Sequence, residues 1–186
     1  MQNNKKYFLF IAIILLFGFL FGIFYYVFLN NEVKVNISNS ILDISINHNV
    51  LIKDLIVMSI LLVTSFFVVG GFFGLFYLFY ETLSYGFLIS VYFDNFGFSG
   101  ILYSLIFILL NKLLILILMI LFIKKVLNVS RLIIGRIIYR RDYSLKNKLL
   151  LNATNSLYMI IFVVIINLCI YYVSPRILES LNFLLK

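Results

Sequence analysis

The sequence predicts an all-α, polytopic membrane protein of about five transmembrane helices, with its N-terminus in the cytoplasm and its C-terminus outside. The chain is 64% hydrophobic and only 12% charged, whereas soluble chains are roughly 45–50% apolar and about 25% charged. Its mean hydropathy is +1.13. A soluble core cannot bury so much apolar surface, so we expect the lipid bilayer to cover most of it. The length of 186 residues predicts a single membrane domain, 1–186.

The first predicted helix covers residues 7–29, a run without a charged side chain. At 1.5 Å per residue it reaches about 35 Å, enough to cross a hydrocarbon core of about 30 Å. Lys5 and Lys6 precede the run, as they do in a signal peptide. However, the run is too long for the apolar region of a signal peptide, and no small-residue cleavage site follows it. We therefore expect a retained first helix.

Residues 30–54 form a polar, nearly neutral segment that we predict to be an external loop. Apolar and polar residues alternate over 33–37 and again over 44–46, which is typical of a strand. Two interpretations stay open: a tethered loop outside the membrane, and an edge that pairs with a partner protein. His48 lies in this segment without a cluster of other ligand residues, so we predict no metal site.

Three further helices are predicted over residues 55–74, 75–93 and 101–123. The middle one is ambiguous because polar and small residues interrupt it. These are Glu81, Thr82, Ser84 and Gly86. Basic segments favour the cytoplasmic side, and they occur both at the N-terminus and after residue 123. An even number of crossings must then separate them, so 75–93 is predicted to cross fully rather than to dip in and return.

A basic cytoplasmic segment, residues 124–150, precedes the last predicted helix, 151–173, which Ser174 and Pro175 are expected to end. Eight of the fifteen Lys and Arg residues lie in this segment. Its spacing over 131–141 fits an amphipathic helix at the level of the lipid head groups, and we predict no nucleic-acid partner. The residues singled out are Lys124, Lys125, Arg131, Arg136, Arg140 and Arg141.

Two pairs of glycines are spaced for close helix packing, Gly18 with Gly22 and Gly70 with Gly74. Glycines four residues apart lie on one helix face and let two backbones approach closely. Gly86 is a further candidate for such a contact. Glycine is also common in membrane helices in general, so packing and chance occurrence both stay open.

Glu81 and Lys112 are ionisable residues inside predicted membrane helices, where such residues are costly and indicate function by default. If the third and fourth helices fold into an antiparallel hairpin about Gly97, the two side chains lie at nearly the same depth. We predict an intramembrane polar pair, assisted by Asn111. One interpretation is a clamp that holds the hairpin together, and the other is a proton or ion relay or a contact with a partner.

No catalytic arrangement is visible in the sequence. Seven acidic residues and one histidine are scattered along the chain, and no paired carboxylates, Ser-His-Asp grouping, HExxH or phosphate-binding loop occurs. Cys169 is the single cysteine, which excludes an intramolecular disulfide. We predict a protein that is not an enzyme and has no cofactor. Transport stays open, because a transporter needs little more than a few intramembrane polar groups.

Three motifs follow one another in the second half of the chain. They are Gly86 and Phe87 in the third predicted helix, Gly97 and Gly100 after a polar step, and Tyr172, Ser174 and Pro175 in a Tyr-Val-Ser-Pro ending. In their order and spacing this half resembles the stage II sporulation protein M family of polytopic membrane proteins. Ser90 stands where the family has a second glycine, and Leu110 stands where it has a proline. The first half agrees only in its order of helix, external loop and helix.

The resemblance implies a membrane scaffold for forespore engulfment during sporulation. The family's namesake holds two membrane-anchored peptidoglycan-degrading partners, the sporulation proteins D and P, as the mother-cell membrane migrates around the forespore. The implied location is the cell membrane, with loop 30–54 on the cell-wall side. The alternative from the residues is a small transporter or permease subunit that uses Glu81 and Lys112. A third interpretation is a regulator that acts at the membrane surface through the basic segment.

Overall fold

A computed structural model of the protein describes residues 2–41, 49–65, 67, 70–139 and 145–180. Over this part of the chain 97% of the residues are helical and no strand is present, so the predicted all-α class is confirmed. The helices are α1 (Gln2–Val27), α2 (Asn31–Ile41), α3 (Asn49–Ser65), α4 (Gly70–Ile108), α5 (Leu114–Tyr139) and α6 (Leu145–Ser180). A π-helical turn, Leu109–Leu113, joins α4 to α5.

Three helical stretches among the described residues are long and apolar enough to cross a membrane. They are Tyr7–Val27, Gly70–Gly135 and Thr154–Ser174. The second spans 66 residues, and at 1.5 Å per residue it would reach about 100 Å if it were straight. Its helix is interrupted at Gly97, where φ is 61° and ψ is −139°. The long stretch is therefore two helical arms joined at Gly97.

The described residues belong to two compact units. The first contains Met1–Asn47, Tyr77–Leu113 and Ile170–Lys186, and the second contains His48–Phe76 and Leu114–Cys169. In the first unit, α1 packs against the first arm of α4. Gly18 lies against Phe79 and Tyr26 lies against Asp94. Because residue numbers rise together along both contacts, the two helices run parallel.

The second unit is held together by α5. α3 packs against α5, and the first turns of α4 lie on it where Gly74 contacts Ile123. The Ser130 hydroxyl donates to the Phe67 carbonyl oxygen at 3.4 Å. The core of this unit is apolar and consists mainly of Met58, Leu61, Met119, Phe122, Val126, Val129 and Val163.

The strand-like interpretation of residues 33–37 is wrong, because they lie in α2. The Lys34 amide donates to the Asn30 carbonyl oxygen at 3.1 Å, which begins the helix directly after α1. Asn is a favoured residue at this capping position. A short alternation of apolar and polar residues is compatible with a strand and with a helix. Here the helix that begins at Asn31 includes these residues. The second alternation, 44–46, lies outside the described residues.

Several predicted helix boundaries are also wrong. The helix predicted over 55–74 is divided, since α3 ends at Ser65 and α4 begins at Gly70. The chain is apolar on both sides of this break, so hydropathy gives no sign of it. α4 continues without interruption through the boundary predicted between residues 74 and 75.

The later helices extend beyond the predicted ends. The helix predicted to end at residue 123 continues as α5 to Tyr139, and α6 runs from Leu145 through Pro175 to Ser180. The length of an apolar run indicates which part of a helix can cross the hydrocarbon core of a bilayer. The helix itself can continue beyond that part, because its backbone hydrogen bonds do not depend on hydropathy. Pro175 removes one intrahelical donor and crowds the carbonyl one turn before it, yet the helix continues for five residues beyond it to Ser180.

Candidate functional site

The structure brings Glu81 and Lys112 together across the hairpin. Lys112 Nζ lies 3.6 Å from Glu81 Oε1, and their side chains are 18% and 6% exposed. The Tyr85 hydroxyl, one helical turn beyond Glu81, donates to the same carboxylate oxygen at 3.4 Å. An ion pair with so little water around it is worth more electrostatically than a surface pair, but desolvation of both charges opposes the gain.

The turn at Gly97 accounts for this pairing. Its backbone has a positive φ that side chains disfavour, so glycine permits the chain to reverse there. Beside the turn, the Tyr92 and Tyr103 rings lie 5.4 Å apart, and Gly100 packs against the Tyr92 carbonyl oxygen. The two arms therefore approach closely beside the turn, as in the predicted hairpin about Gly97.

Asn111 and Lys112 both lie in the π turn, Leu109–Leu113. Asn111 is 8% exposed, and its Nδ2 donates to the Phe107 carbonyl oxygen at 3.0 Å. The amide therefore bonds to its own helix rather than directly to the predicted pair. The sequence showed the polar residues but not the π geometry, because their composition is compatible with an ordinary helix.

Three of the predicted glycines lie at the contact between α1 and α4. A Cβ at Gly22 would collide with the Leu83 carbonyl oxygen, and one at Gly86 would collide with the Phe19 carbonyl oxygen. A Cβ at Gly18 would likewise collide with the Phe79 carbonyl oxygen and the Thr82 hydroxyl oxygen of α4. In each case the obstacle includes backbone, which cannot move aside as a side chain can. These contacts have the geometry of small-residue packing in membranes.

The two glycines of the other predicted pair, Gly70 and Gly74, have different roles. Gly74 packs against Ile123 of α5, whereas the Gly70 amide donates to the Phe67 carbonyl oxygen at 3.2 Å where α4 begins. Gly71, which the sequence analysis did not single out, faces Leu127 of α5. The face of α4 that meets α5 therefore carries Gly71 and Gly74, and only the tertiary structure identifies it.

A polar cluster at the end of the first unit was not predicted. The Tyr26 hydroxyl donates to Asp94 Oδ2 at 2.7 Å. Lys34 Nζ lies 4.9 Å from the centre of the Tyr26 ring and donates to the Val27 carbonyl oxygen at 3.3 Å. These contacts link the end of α1, the start of α2 and the hairpin turn. A tyrosine at the end of an apolar run was a signal, but its partner is 68 residues away.

The residues similar to the sporulation family occupy different environments. Phe87 packs edge-on against Tyr26, with ring centres 5.5 Å apart, and Gly97 and Gly100 shape the hairpin turn. Tyr172 is 71% exposed while Ser174 is 2% exposed, so the two lie on different faces of α6. Pro175 lies within α6 instead of ending it.

The basic segment is partly built into the second unit. Lys125 Nζ donates to the Asn155 carbonyl oxygen of α6 at 3.5 Å, and Lys124 is half-buried while Arg131 is exposed. The neighbouring Val126 and Val129 are buried in protein, so this part of α5 belongs to the core of the unit. The interfacial amphipathic helix predicted over 131–141 stays a prediction. The Arg136 side chain and residues Arg140 and Arg141 lie outside the described part of the chain.

In the described ranges, no group of three or more His, Cys, Asp or Glu residues is placed to hold a metal ion. The described residues thus form a helical protein with three stretches long and apolar enough to cross a membrane, a nearly buried ion pair and glycine-mediated helix contacts. No family model, curated protein or solved structure matches the chain.

Proposed function

We propose that the protein is a non-enzymatic membrane scaffold of the stage II sporulation protein M type, which recruits peptidoglycan-degrading partners for forespore engulfment. The observation that carries the proposal is the backbone contact between α1 and α4 at Gly22 and Gly86. It joins two apolar helices along a face that leaves no room for side chains. Such a contact is suited to a rigid platform and offers no space for a moving solute.

The positions of the family-like residues support the same proposal. Gly86 lies against α1, Gly97 has a positive φ, and Gly100 lies against the Tyr92 carbonyl oxygen. Each is a position where a side chain would be strained or obstructed. Their spacing is therefore explained by a helical hairpin packed on a first helix, and the hairpin belongs to the part of the chain where the resemblance is found.

The parallel packing of α1 and α4 supports five crossings. If both helices cross the membrane in one direction, the chain between them must return. α3, Asn49–Ser65, reaches about 25 Å and is the helix available for that return. The two arms joined at Gly97 and the apolar part of α6 complete the five. We place the N-terminus in the cytoplasm because basic residues beside membrane spans favour the cytoplasmic side.

On this topology α2 lies outside, on the cell-wall side, and is the proposed contact for the peptidoglycan-degrading partners. Lys34 and Tyr26 attach its first turn to the end of α1. Several of its side chains remain exposed, namely Asn31, Glu32, Val33, Val35 and Asn36. An external helix with a fixed direction is a suitable recruiting element, because it need not be ordered when a partner binds.

The test is complementation in a spore-forming bacterium that lacks its own stage II M protein. A tagged copy is expressed, its membrane level is measured, and migration of the membrane around the forespore is imaged. We expect the parent and Gly135→Leu to restore engulfment, because space is open around Gly135. Gly86→Leu should fail, because it separates α1 from α4. Failure of the parent at normal abundance contradicts the scaffold proposal.

A second candidate, a small transporter or permease subunit, is favoured by one observation. Lys112 lies in a π turn and is paired with a buried carboxylate, and π turns occur often at functional sites. Ion and proton flux in liposomes containing the purified protein distinguishes the candidates. If the protein is a scaffold, its liposomes should show the same flux as empty liposomes. A higher flux that is abolished by Glu81→Gln or Lys112→Met would establish transport.

A further inference from the structure

The outer face of α5 changes from apolar to cationic along its length. Residues that follow one another at intervals of three and four share one face of a helix. In this register α5 presents six side chains that are exposed or half-exposed: Leu114, Ile117, Leu121, Lys124, Asn128 and Arg131. We call the first three the apolar half of the outer face and the last three its cationic half. Met119, Phe122 and Val126 lie on the opposite face and are buried.

The two halves meet where an apolar run ends. No charged residue lies between Lys112 and Lys124 in the sequence, so the apolar half suits the acyl chains of a lipid. The cationic half covers about 10 Å of helix beyond it. Long basic side chains at the end of an apolar helix reach the level of the lipid head groups. The outer face therefore has the same order of chemistry as a phospholipid, from acyl chains to head group.

The second unit, to which this face belongs, carries an excess of positive charge. It contains nine Lys and Arg residues against two Asp residues, whereas the first unit contains six against five Asp and Glu residues. Lys125 is not part of the outer face, since its Nζ donates to the Asn155 carbonyl oxygen of α6 at 3.5 Å. The unit thus has few carboxylates of its own to neutralise Lys124 and Arg131. A partner that complements this face carries negative charge.

We propose that the outer face of α5 binds an anionic phospholipid, with the acyl chains along its apolar half and the phosphate at its cationic half. The Arg131 guanidinium matches two phosphate oxygens, while the Lys124 ammonium contributes a point charge. The Asn128 amide, between them on the helix, supplies a further donor. The adjoining apolar half favours a lipid over a soluble anion, which would use only the charges. The inference concerns the second unit and is independent of the scaffold proposal.

The test uses fluorescence of the full-length protein in vesicles. The chain has no tryptophan, so a single introduced tryptophan reports the lipid beside it. Leu121→Trp places the reporter where the two halves of the outer face meet. The vesicles contain phosphatidylglycerol and phosphatidylcholine, and bromine on the acyl chains of one or the other quenches the fluorescence on contact. We expect phosphatidylglycerol to be preferred by at least about fivefold, the effect of about one cation near an anionic lipid surface.

Tyr158→Trp is the matched control reporter. Tyr158 is 72% exposed on α6, and it lies one turn beyond Asn155, which accepts from Lys125. It therefore reports the lipid near the same level of the second unit but on another helix. We expect the two lipids to be bound there within about twofold of each other. An equal preference for phosphatidylglycerol beside both tryptophans would mean that net charge attracts the lipid diffusely, and the proposal would be wrong.

Substitution of the cations separates the site from the reporter. In the Leu121→Trp protein, Lys124→Gln/Arg131→Gln should lower the preference to within about twofold. Arg131→Gln alone, at an exposed position, should lower it as well. Arg176→Gln is the control, because it removes an exposed positive charge from the first unit and should leave the preference unchanged. A Leu121→Trp protein without a preference, or a preference that survives the double substitution, contradicts the proposal.

Discussion

At the scale of single residues, Glu81 and Lys112 form a nearly buried ion pair, so removing one partner leaves the other charge without its counterion. Glu81→Gln leaves the Lys112 ammonium without its carboxylate, and Lys112→Met leaves a nearly buried carboxylate without its ammonium. We expect each to lower the free energy of unfolding, by up to about 3 kcal/mol for Lys112→Met. Thermal unfolding of the tagged protein in detergent measures the loss.

The double variant Glu81→Gln/Lys112→Met separates pairing from other contacts of these residues. It leaves no buried charge, so we expect it to recover most of the stability lost by Lys112→Met. Losses that simply add would show that the 3.6 Å contact does not couple the two residues.

Tyr26 is a second residue whose contribution can be isolated. Tyr26→Phe removes the hydrogen bond to Asp94 and keeps the ring beneath Lys34. Because the Asp94 carboxylate remains exposed to water, we expect a loss of only about 1 kcal/mol. Tyr25→Phe is the matched control, since Tyr25 is 56% exposed beside it. Equal unfolding temperatures for the two variants would contradict a stabilising role for the Tyr26 contact.

At the scale of elements, the hairpin depends on the backbone of Gly97. A side chain there meets no atom within 4 Å, so its cost is conformational alone. We expect Gly97→Ala to destabilise the protein by about 1–3 kcal/mol, because φ is positive and ψ is far from the left-handed helical region. Gly135→Ala, in regular helix, should be neutral or stabilising by up to about 1 kcal/mol. Thermal unfolding compares the two, and an equally tolerated Gly97→Ala would refute the strained turn.

The hairpin is also the element that the sequence predicted best. Gly97 between two apolar runs, with a carboxylate and an ammonium at matched distances from it, is a local pattern that can be read directly. α2 was missed because its alternating residues indicated a strand, while the Asn30 cap and the Lys34 contact with Val27 favour a helix. The break between α3 and α4 was missed because apolar residues lie on both sides of it.

At the scale of the whole molecule, the proposed five crossings with a cytoplasmic N-terminus predict which residues are accessible from each side of the membrane. With Cys169→Ala, Asn36→Cys in α2 and Phe98→Cys beside the turn should react with an impermeant thiol reagent in intact cells, since both positions are exposed. Arg131→Cys should react only after permeabilisation. Labelling of Arg131→Cys in intact cells would show that the orientation is the reverse of the one proposed. Failure of Phe98→Cys to react would show that the hairpin turn is not outside the membrane.

The sequence by itself determined the all-helical fold, the apolar helices long enough to cross a membrane, the hairpin about Gly97 and the approach of Glu81 to Lys112. These follow from hydropathy and from distance along the chain, which are local properties. Only the tertiary structure decided which glycines meet which helix, that Asn111 lies in a π turn, and that Tyr26 reaches Asp94. These depend on how each helix is rotated about its axis. In a chain whose faces are nearly all apolar, periodicity does not reveal that rotation, so close backbone packing selects it.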